Sequence, residues 1–457
     1  MTTFTGKFFT PNDAGFDEAA VGRVFNHRRP TRRPNAVLLA ETRDDIIAGV
    51  KFAKEQGWGV AVRAGGHSWA AWSVREDTLL IDLGLYQEMD YDPATGIASA
   101  TPATKGGEVL DPYLQSVGRF FNGGHCPTVG IGGFLLQGGQ GWVARGWGWA
   151  AESVVAVDVV TADGELVRAD ATQNQDLYWA ARGAGPSFPG VVTRFYLQTR
   201  PRYKHAVESV QLYKPEQFQD ILKWMYSIHD SVSPDVEIVI VSQCGPTGPD
   251  GAIERTIVVD ALTLVDDVDQ GKKNLEPFLT YPSIDSAIVN IWGEETQLSV
   301  RREQQLLANP EGHRYFVDNI WVEGEPADIA AKLDPLFTEI PEEKGFTIWY
   351  SMGPVRELPD MAFSMQSPGY VATYLVSETE ANDGANRAWL DSAMAHAQPV
   401  TKGTYLGDSD FGNRQLKFMS QQNYERLQQV IAERDPNGLF VRYLTKDASR
   451  LNTNDWE

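Results

Sequence analysis

The sequence predicts an α+β protein of two domains, and three observations carry that expectation. The chain has 457 residues, more than one compact core usually fills. Its first two hundred residues alternate short apolar strands with amphipathic helices. Beyond residue 203 the texture changes to longer helices between β-branched strands.

The clearest unit comes early. Thr42 followed by Asp45 makes a capping-box start, Ile46, Ile47, Val50 and Ala53 form one apolar face, and Gly57 supplies the stop. A helix is therefore expected from Thr42 to Gln56, bracketed by strands at Ala36 to Ala40 and Gly59 to Arg63. Val154 to Val160 and Glu165 to Ala169 are extended runs joined by Thr161-Ala162-Asp163-Gly164, and Asp-Gly is a strong hairpin signal. A helix at Asn174 to Arg182 and a strand at Gly190 to Leu197 follow, and Arg200-Pro201-Arg202 marks a boundary. In the second domain, helices at Pro215 to His229 and Gly384 to Ala397 are interleaved with strands at Glu237 to Val241 and Thr256 to Leu262. A last helix, Gln421 to Glu433, ends before Asp435-Pro436-Asn437-Gly438.

Charge and composition narrow the function. A formal net charge of -21 repels polyphosphates and anionic lipid, which argues against nucleic-acid and membrane partners and for a small neutral or cationic substrate. Arg28, Arg29, Arg32 and Arg33 beside two prolines read as a solvated loop. The first ten residues lack an apolar signal segment and no long apolar run follows, so a cytoplasmic protein is expected. Two cysteines, Cys126 and Cys244, exclude a disulfide scaffold but leave one bridge open.

Two clusters carry chemistry. Arg63-Ala64-Gly65-Gly66-His67-Ser68 ends a strand, and its glycines let backbone N–H groups approach a diphosphate. A glycine turn with an incidental histidine is the plainer alternative. The second cluster runs from Gly123-Gly124-His125-Cys126-Pro127-Thr128-Val129-Gly130-Ile131-Gly132-Gly133 through Gly138-Gly139-Gln140-Gly141-Trp142. So many glycines cost conformational entropy, which points to close approach by something flat and bulky or to a set of tight turns.

Together the clusters resemble the berberine bridge enzyme-like branch of the vanillyl-alcohol oxidase superfamily. Its pattern is R-x-G-G-H-S after a strand, then G-x-C-x-x-V-G-x-G-G about sixty residues on, then G-G-x-G; here the conserved-pattern His and Cys fall on His67 and Cys126. The resemblance implies a PCMH-type FAD-binding fold. Residues 1–202 would form the FAD-binding domain and 203–400 a substrate domain of antiparallel sheet covered by helices. Residues 401–457 would return to the FAD domain. It also implies FAD bound covalently twice, His67 to the 8α carbon and Cys126 through sulfur to C6. Arg63, Ala64, Gly65, Gly66, Ser68, Val129, Gly130, Gly133, Gly138, Gly141 and Val192 would complete the cofactor site. Thr404 stands where the family usually has Asn, and no acid occurs in Gly369 to Val376, where some plant members place a catalytic Glu.

The implied activity is oxidation of a small organic substrate, whether aromatic, alkaloid, sugar or polyketide alcohol. Hydride passes to the flavin and electrons to molecular oxygen, giving hydrogen peroxide. Tyr405 and then Tyr374 are the candidate bases, and Trp321, Trp349 and Tyr350 are candidate pocket aromatics or core residues. Two alternatives remain. One is a flavin-binding protein with little turnover; the other is a nicotinamide-dependent dehydrogenase reading Gly139-Gln140-Gly141-Trp142-Val143-Ala144 as G-x-G-x-x-A. No metal site is expected, because neither C-x-x-C nor H-E-x-x-H occurs.

Overall fold

The helix after the first strand unit runs Arg43–Gln56, with Thr42 as its cap, in a computed structural model that describes residues 3–246, 253–409, 414 and 416–443. Thr42 Oγ1 accepts from Asp45 N (3.1 Å) and Asp45 Oδ2 accepts from Thr42 N (3.1 Å), while Gly57 closes the helix at φ 69°. Asp45 also accepts from Thr5, Gly6 and Glu41 N–H groups, so one carboxylate ties the N-terminal strand to the helix start. Burial pushes its pKa up, but the four backbone donors win and hold it below the usual carboxylate range. That stabilisation is full at neutral pH and is lost as pH falls through the depressed pKa. Asp45→Ala is expected to cost about 2 kcal/mol, read as a lower urea midpoint at pH 7, with a smaller difference between the two proteins near pH 2.

Four strands in the order Lys7–Phe9, Ala36–Leu39, Thr78–Asp82, Gly59–Arg63 form the first sheet, parallel except at its Lys7–Phe9 edge. The other edge is covered from the far end of the chain. Val60 pairs with Phe440, Val60 N donating to Leu439 O (2.7 Å) and Val441 N to Val60 O (3.0 Å), which satisfies backbone groups an open edge would expose. The preceding helix, Gln421–Arg434, places Tyr424, Leu427 and Ile431 in one core with Leu177 and Trp179, and Arg434 grips Asp176 with two bonds of 2.6 and 2.7 Å.

A second sheet of five antiparallel strands follows the order Met89–Asp92, Ile97–Ala100, Val191–Gln198, Val154–Val160, Leu166–Asp170. Its expected Asp-Gly turn is present, with Gly164 at φ 70°. The third sheet is the largest: eight antiparallel strands ordered Val289–Thr296, His205–Tyr213, Ile253–Val265, Val236–Pro246, Phe346–Ser351, Gly369–Ser377, Arg314–Val322, Thr401–Gly403. Alternate residues such as Ile238, Ile240, Val259 and Trp349 pack beneath the helices Phe218–Ile228, Pro326–Thr338 and Asp383–Ala397. The opposite face looks toward the glycine-rich loops. The helix expected from Pro215 opens as a 3-10 turn, Pro215–Gln217, and becomes α-helical at Phe218. No helix among the described residues is long and apolar enough to cross a membrane.

Candidate active site

One cavity of about 860 Å³ runs between the two glycine clusters and the exposed face of the eight-stranded sheet. Its size lies within the roughly 300–1,000 Å³ usual for cofactor and ligand sites. Ala64, Gly65, Gly66, His67 and Ser68 form one wall. Gly65 needs its missing side chain: a Cβ there would lie 2.6 Å from Gly130 N, and one on Gly130 would lie 2.9 Å from Gly65, so the two clusters meet backbone to backbone. Gly66 sits at φ 80° against Arg23 O. Val129 and Val192 line the cavity, and Gly133 opens onto empty space within it.

Three expected contacts take other roles. The Arg63 guanidinium turns into the protein, donating to Asp82 Oδ2 (2.5 Å) and Ala20 O (2.6 Å) and also to Ala19 O, and is 2% exposed. It fixes the loop that carries His67, and any cofactor contact must come from its backbone. Gly138 packs on the Phe363 ring and Gly141 on Asn122 O; neither lines the cavity, because their lost side chains make room for protein. Arg145 then clamps this loop to the large sheet through the carbonyls of His229 (2.6 Å), Ser233 (2.7 Å) and Gly353 (2.5 Å).

His67 and Cys126 converge on a residue between them. Thr128 Oγ1 lies 3.0 Å from His67 Nε2 and 3.5 Å from Cys126 Sγ. Phe25 stacks on the His67 ring at 4.3 Å. Burial, aided by the Lys105 charge, lowers the His67 pKa to about 4, so the imidazole is neutral at pH 7 with a lone pair to offer. Burial pushes the Cys126 thiol up, with Thr128 opposing it in part. Both cysteines are free.

Tyr405 and Tyr374 both reach the cavity. Tyr405 Oη accepts from Gly139 N (3.2 Å) and Gln140 N (3.3 Å), and its backbone is held by Asn319, which Thr404 Oγ1 anchors at 3.0 Å. Thr404 thus supports the site through Asn319. Tyr374 stacks on Phe346 at 4.5 Å. Burial raises the pKa of both phenols, so both stay protonated at neutral pH and neither accepts a proton unaided. The acid missing from the Gly369–Ser377 strand, which carries Tyr374, comes from another segment: Asp408 Oδ2 accepts from Tyr370 Oη (2.7 Å) and Oδ1 from Trp69 Nε1 (3.3 Å), and its carboxylate also interacts with Tyr374. Burial raises the Asp408 pKa, and these donors offset only part of the rise.

On the large-sheet side, His125 Nε2 donates to both Glu237 oxygens (2.9 and 3.0 Å), and Val143 N donates to Glu237 Oε2 (2.8 Å). Trp142 Nε1 and Gln140 Nε2 are buried donors without a protein acceptor among the described residues, and both residues line the same cavity. Tyr350 also faces the cavity, whereas Trp349 and Trp321 are fully buried in core clusters. The nicotinamide alternative fails on geometry. Val143 takes φ 57° and the helix after it is only Ala144–Trp147, too short to present an N-terminus to a pyrophosphate.

Comparison with known proteins agrees with this geometry. Residues 34–170 match the FAD binding domain family. The chain is 34% identical over 421 residues to the FAD-linked oxidoreductase penO of Penicillium crustosum, covering 92% of each protein. It belongs to the FAD-linked oxidoreductases. Among solved structures, this FAD-dependent oxidoreductase shares the fold of 6-hydroxy-D-nicotine oxidase from Arthrobacter nicotinovorans, with TM-score 0.82 at 19% identity over 98% of this chain and 99% of that one. A berberine bridge enzyme variant described as a reticuline dehydrogenase gives 0.79 at 17% identity over 96% of each.

The residues present fit a flavin. A backbone-only trough where Gly65 meets Gly130, an opening at Gly133 and two orphaned donors at Gln140 and Trp142 suit a flat ring edged with acceptor atoms. Sequence reasoning missed Thr128, Asp408, Tyr370 and Glu237. Asp408 was within reach, since it closes the Thr404 to Asp408 segment that carries the family likeness; Glu237 sits on a strand whose facing partner only the fold reveals.

Proposed function

We propose that this oxidoreductase carries FAD linked to both His67 and Cys126 and oxidises a small organic alcohol or amine, passing electrons to dioxygen to give hydrogen peroxide. The observation that carries the proposal is the meeting of His67 and Cys126, from loops far apart in sequence, around the buried Thr128 Oγ1, with both side chains lining the cavity. C6 and the 8α carbon lie on one ring of the flavin, so two nucleophiles held this close can serve a single cofactor. Bound FAD supplies a two-electron acceptor for a hydride from substrate carbon.

The chain's own part is to hold the substrate and take its proton. Tyr374 and Tyr405 are placed to hydrogen-bond a substrate hydroxyl or amine, and Asp408 behind Tyr374 receives the proton that a phenol alone could not keep. Thr128 Oγ1 lies within hydrogen-bonding reach of both the Cys126 thiol and the neutral His67 ring and so holds the two side chains side by side. Anaerobic titration with a panel of alcohols and amines should bleach the flavin absorbance, and air should restore it with peroxide formed in equal amount. A yellow protein that no member of a broad panel bleaches would favour a flavin carrier instead.

A further inference from the structure

One buried acid of the cavity takes no part in the proton path described above. Glu237 lies between Val236 and Ile238, which point into the helix-covered core, so its own side chain turns to the cavity face, where it is 7% exposed. Its two oxygens take N–H groups from both ends of the second glycine run. His125 Nε2 lies 2.9 and 3.0 Å from them, and Val143 N donates to Oε2 at 2.8 Å. A carboxylate only accepts, so Nε2 is the ring nitrogen of His125 that carries hydrogen. An acid whose oxygens already hold two N–H donors is a poor acceptor for a substrate proton. It is well placed to hold a loop.

What it holds is the segment that carries Cys126. After that residue the chain is fixed by its own backbone: Pro127 O accepts from Gly107 N and Glu108 N, both at 3.1 Å, and Gly106 N donates to Val129 O at 2.9 Å. Before it, Gly124 and His125 make no backbone–backbone hydrogen bond among the described residues, and Gly123 and Gly124 permit a wide range of backbone angles. The His125 side chain fixes this side instead. Its ring centroid lies 4.3 Å from that of Trp142 and 5.5 Å from that of Tyr350, and Glu237 anchors its Nε2. Val143, at a φ of 57° that a β-branched residue rarely adopts, is held there in part by the same carboxylate. The His67 loop does not involve Glu237: Arg63 ties it to Asp82 and Ala20, and Phe25 N donates to Gly66 O at 3.0 Å.

We propose that Glu237 is a positioning residue: through His125 it sets Cys126 against the flavin, so that linkage through sulfur depends on the large sheet and linkage through His67 does not. The inference rests on the two-link reading above. In the sulfur linkage an S–C6 bond replaces the Cys126 S–H and the flavin C6–H bonds, and the two protons and two electrons released pass to dioxygen as hydrogen peroxide. Placement governs such a step, because a displacement of about 1 Å can slow a reaction between held groups about 10²-fold.

The test uses the flavin-containing protein and two variants that break the clasp from opposite sides, Glu237→Leu and His125→Ala, with Glu237→Gln as the conservative change. A glutamine can still accept from Val143 N and offer an amide N–H to a His125 ring whose hydrogen has moved to Nδ1. Tryptic peptide masses measure each link, and thiol titration of the denatured chain counts free cysteines: Cys244 alone where Cys126 is linked, both where it is not. In Glu237→Leu and His125→Ala the sulfur link is expected to fall at least about tenfold while the His67 link stays, and Glu237→Gln should keep the sulfur link within about twofold of wild type. An undiminished sulfur link in either clasp variant, equal loss of both links, or a Glu237→Gln protein as deficient as Glu237→Leu overturns the inference. Wild-type protein without a sulfur link would defeat the two-link reading. Iodoacetamide labelling of the folded protein would then decide the positioning role, with Cys126 alkylated about tenfold faster in Glu237→Leu as the expected result and an equal rate as the refuting one.

Discussion

Replacing both His67 and Cys126 by alanine is expected to free all of the flavin on denaturation, while either replacement alone leaves the yellow colour with the precipitated chain. The reasoning starts from protonation. A neutral imidazole is the attacking form, and burial keeps His67 neutral at any pH above about 4. Cys126 is the weaker partner, because burial favours its thiol over the thiolate that attacks. His67→Ala should therefore retain the sulfur link and Cys126→Ala the nitrogen link, the sulfur link forming faster as pH rises and more thiolate is present. Mass analysis of tryptic peptides reads both outcomes. Flavin mass still attached to the double variant would place the link elsewhere and defeat the proposal.

Asp408→Asn should slow flavin reduction by substrate about 10²–10⁴-fold, or about 3–5 kcal/mol of barrier. The carboxylate is buried, no cation pairs with it among the described residues, and Tyr370, Tyr374 and Trp69 surround it, with Tyr405 on its own segment and His125 across the cavity. Burial raises its pKa, and only the ionised form can accept a proton. The wild-type rate should therefore climb as pH rises through that raised pKa, and the variant should lose this limb while keeping its bound flavin. Asp408→Glu should restore part of the rate and the limb with it. A loss smaller than about tenfold with the acid limb unchanged would remove Asp408 from the proton path.

The legible parts of the site are those in which a local pattern and a chemical need coincide. Gly65 and Gly130 could be named in advance because a backbone-only approach demands glycine at both places. Gly138 and Gly141 look the same in sequence but serve Phe363 and Asn122, since a glycine records that something comes close without recording what. Arg63 misled for a related reason: an arginine beside a phosphate-type loop reads as a ligand contact, and only the position of Asp82 on the neighbouring strand shows where its charge is spent. Asp408 went unassigned because its partners lie on the strand Gly369–Ser377 and in the loop at Trp69, contacts between segments hundreds of residues apart.

By itself the sequence determined the capped helix after Thr42, the alternation of the strands, the glycine turns and the family likeness carried by His67 and Cys126, all of them set by interactions within a few residues or by a motif. The tertiary structure alone decided that Thr128 stands between those two side chains, that Asp408 backs Tyr374, and that Glu237 on the large sheet meets His125 and Val143. Strand order and register arise from the packing of whole sheets against helices and loops, and no short stretch of chain contains that information.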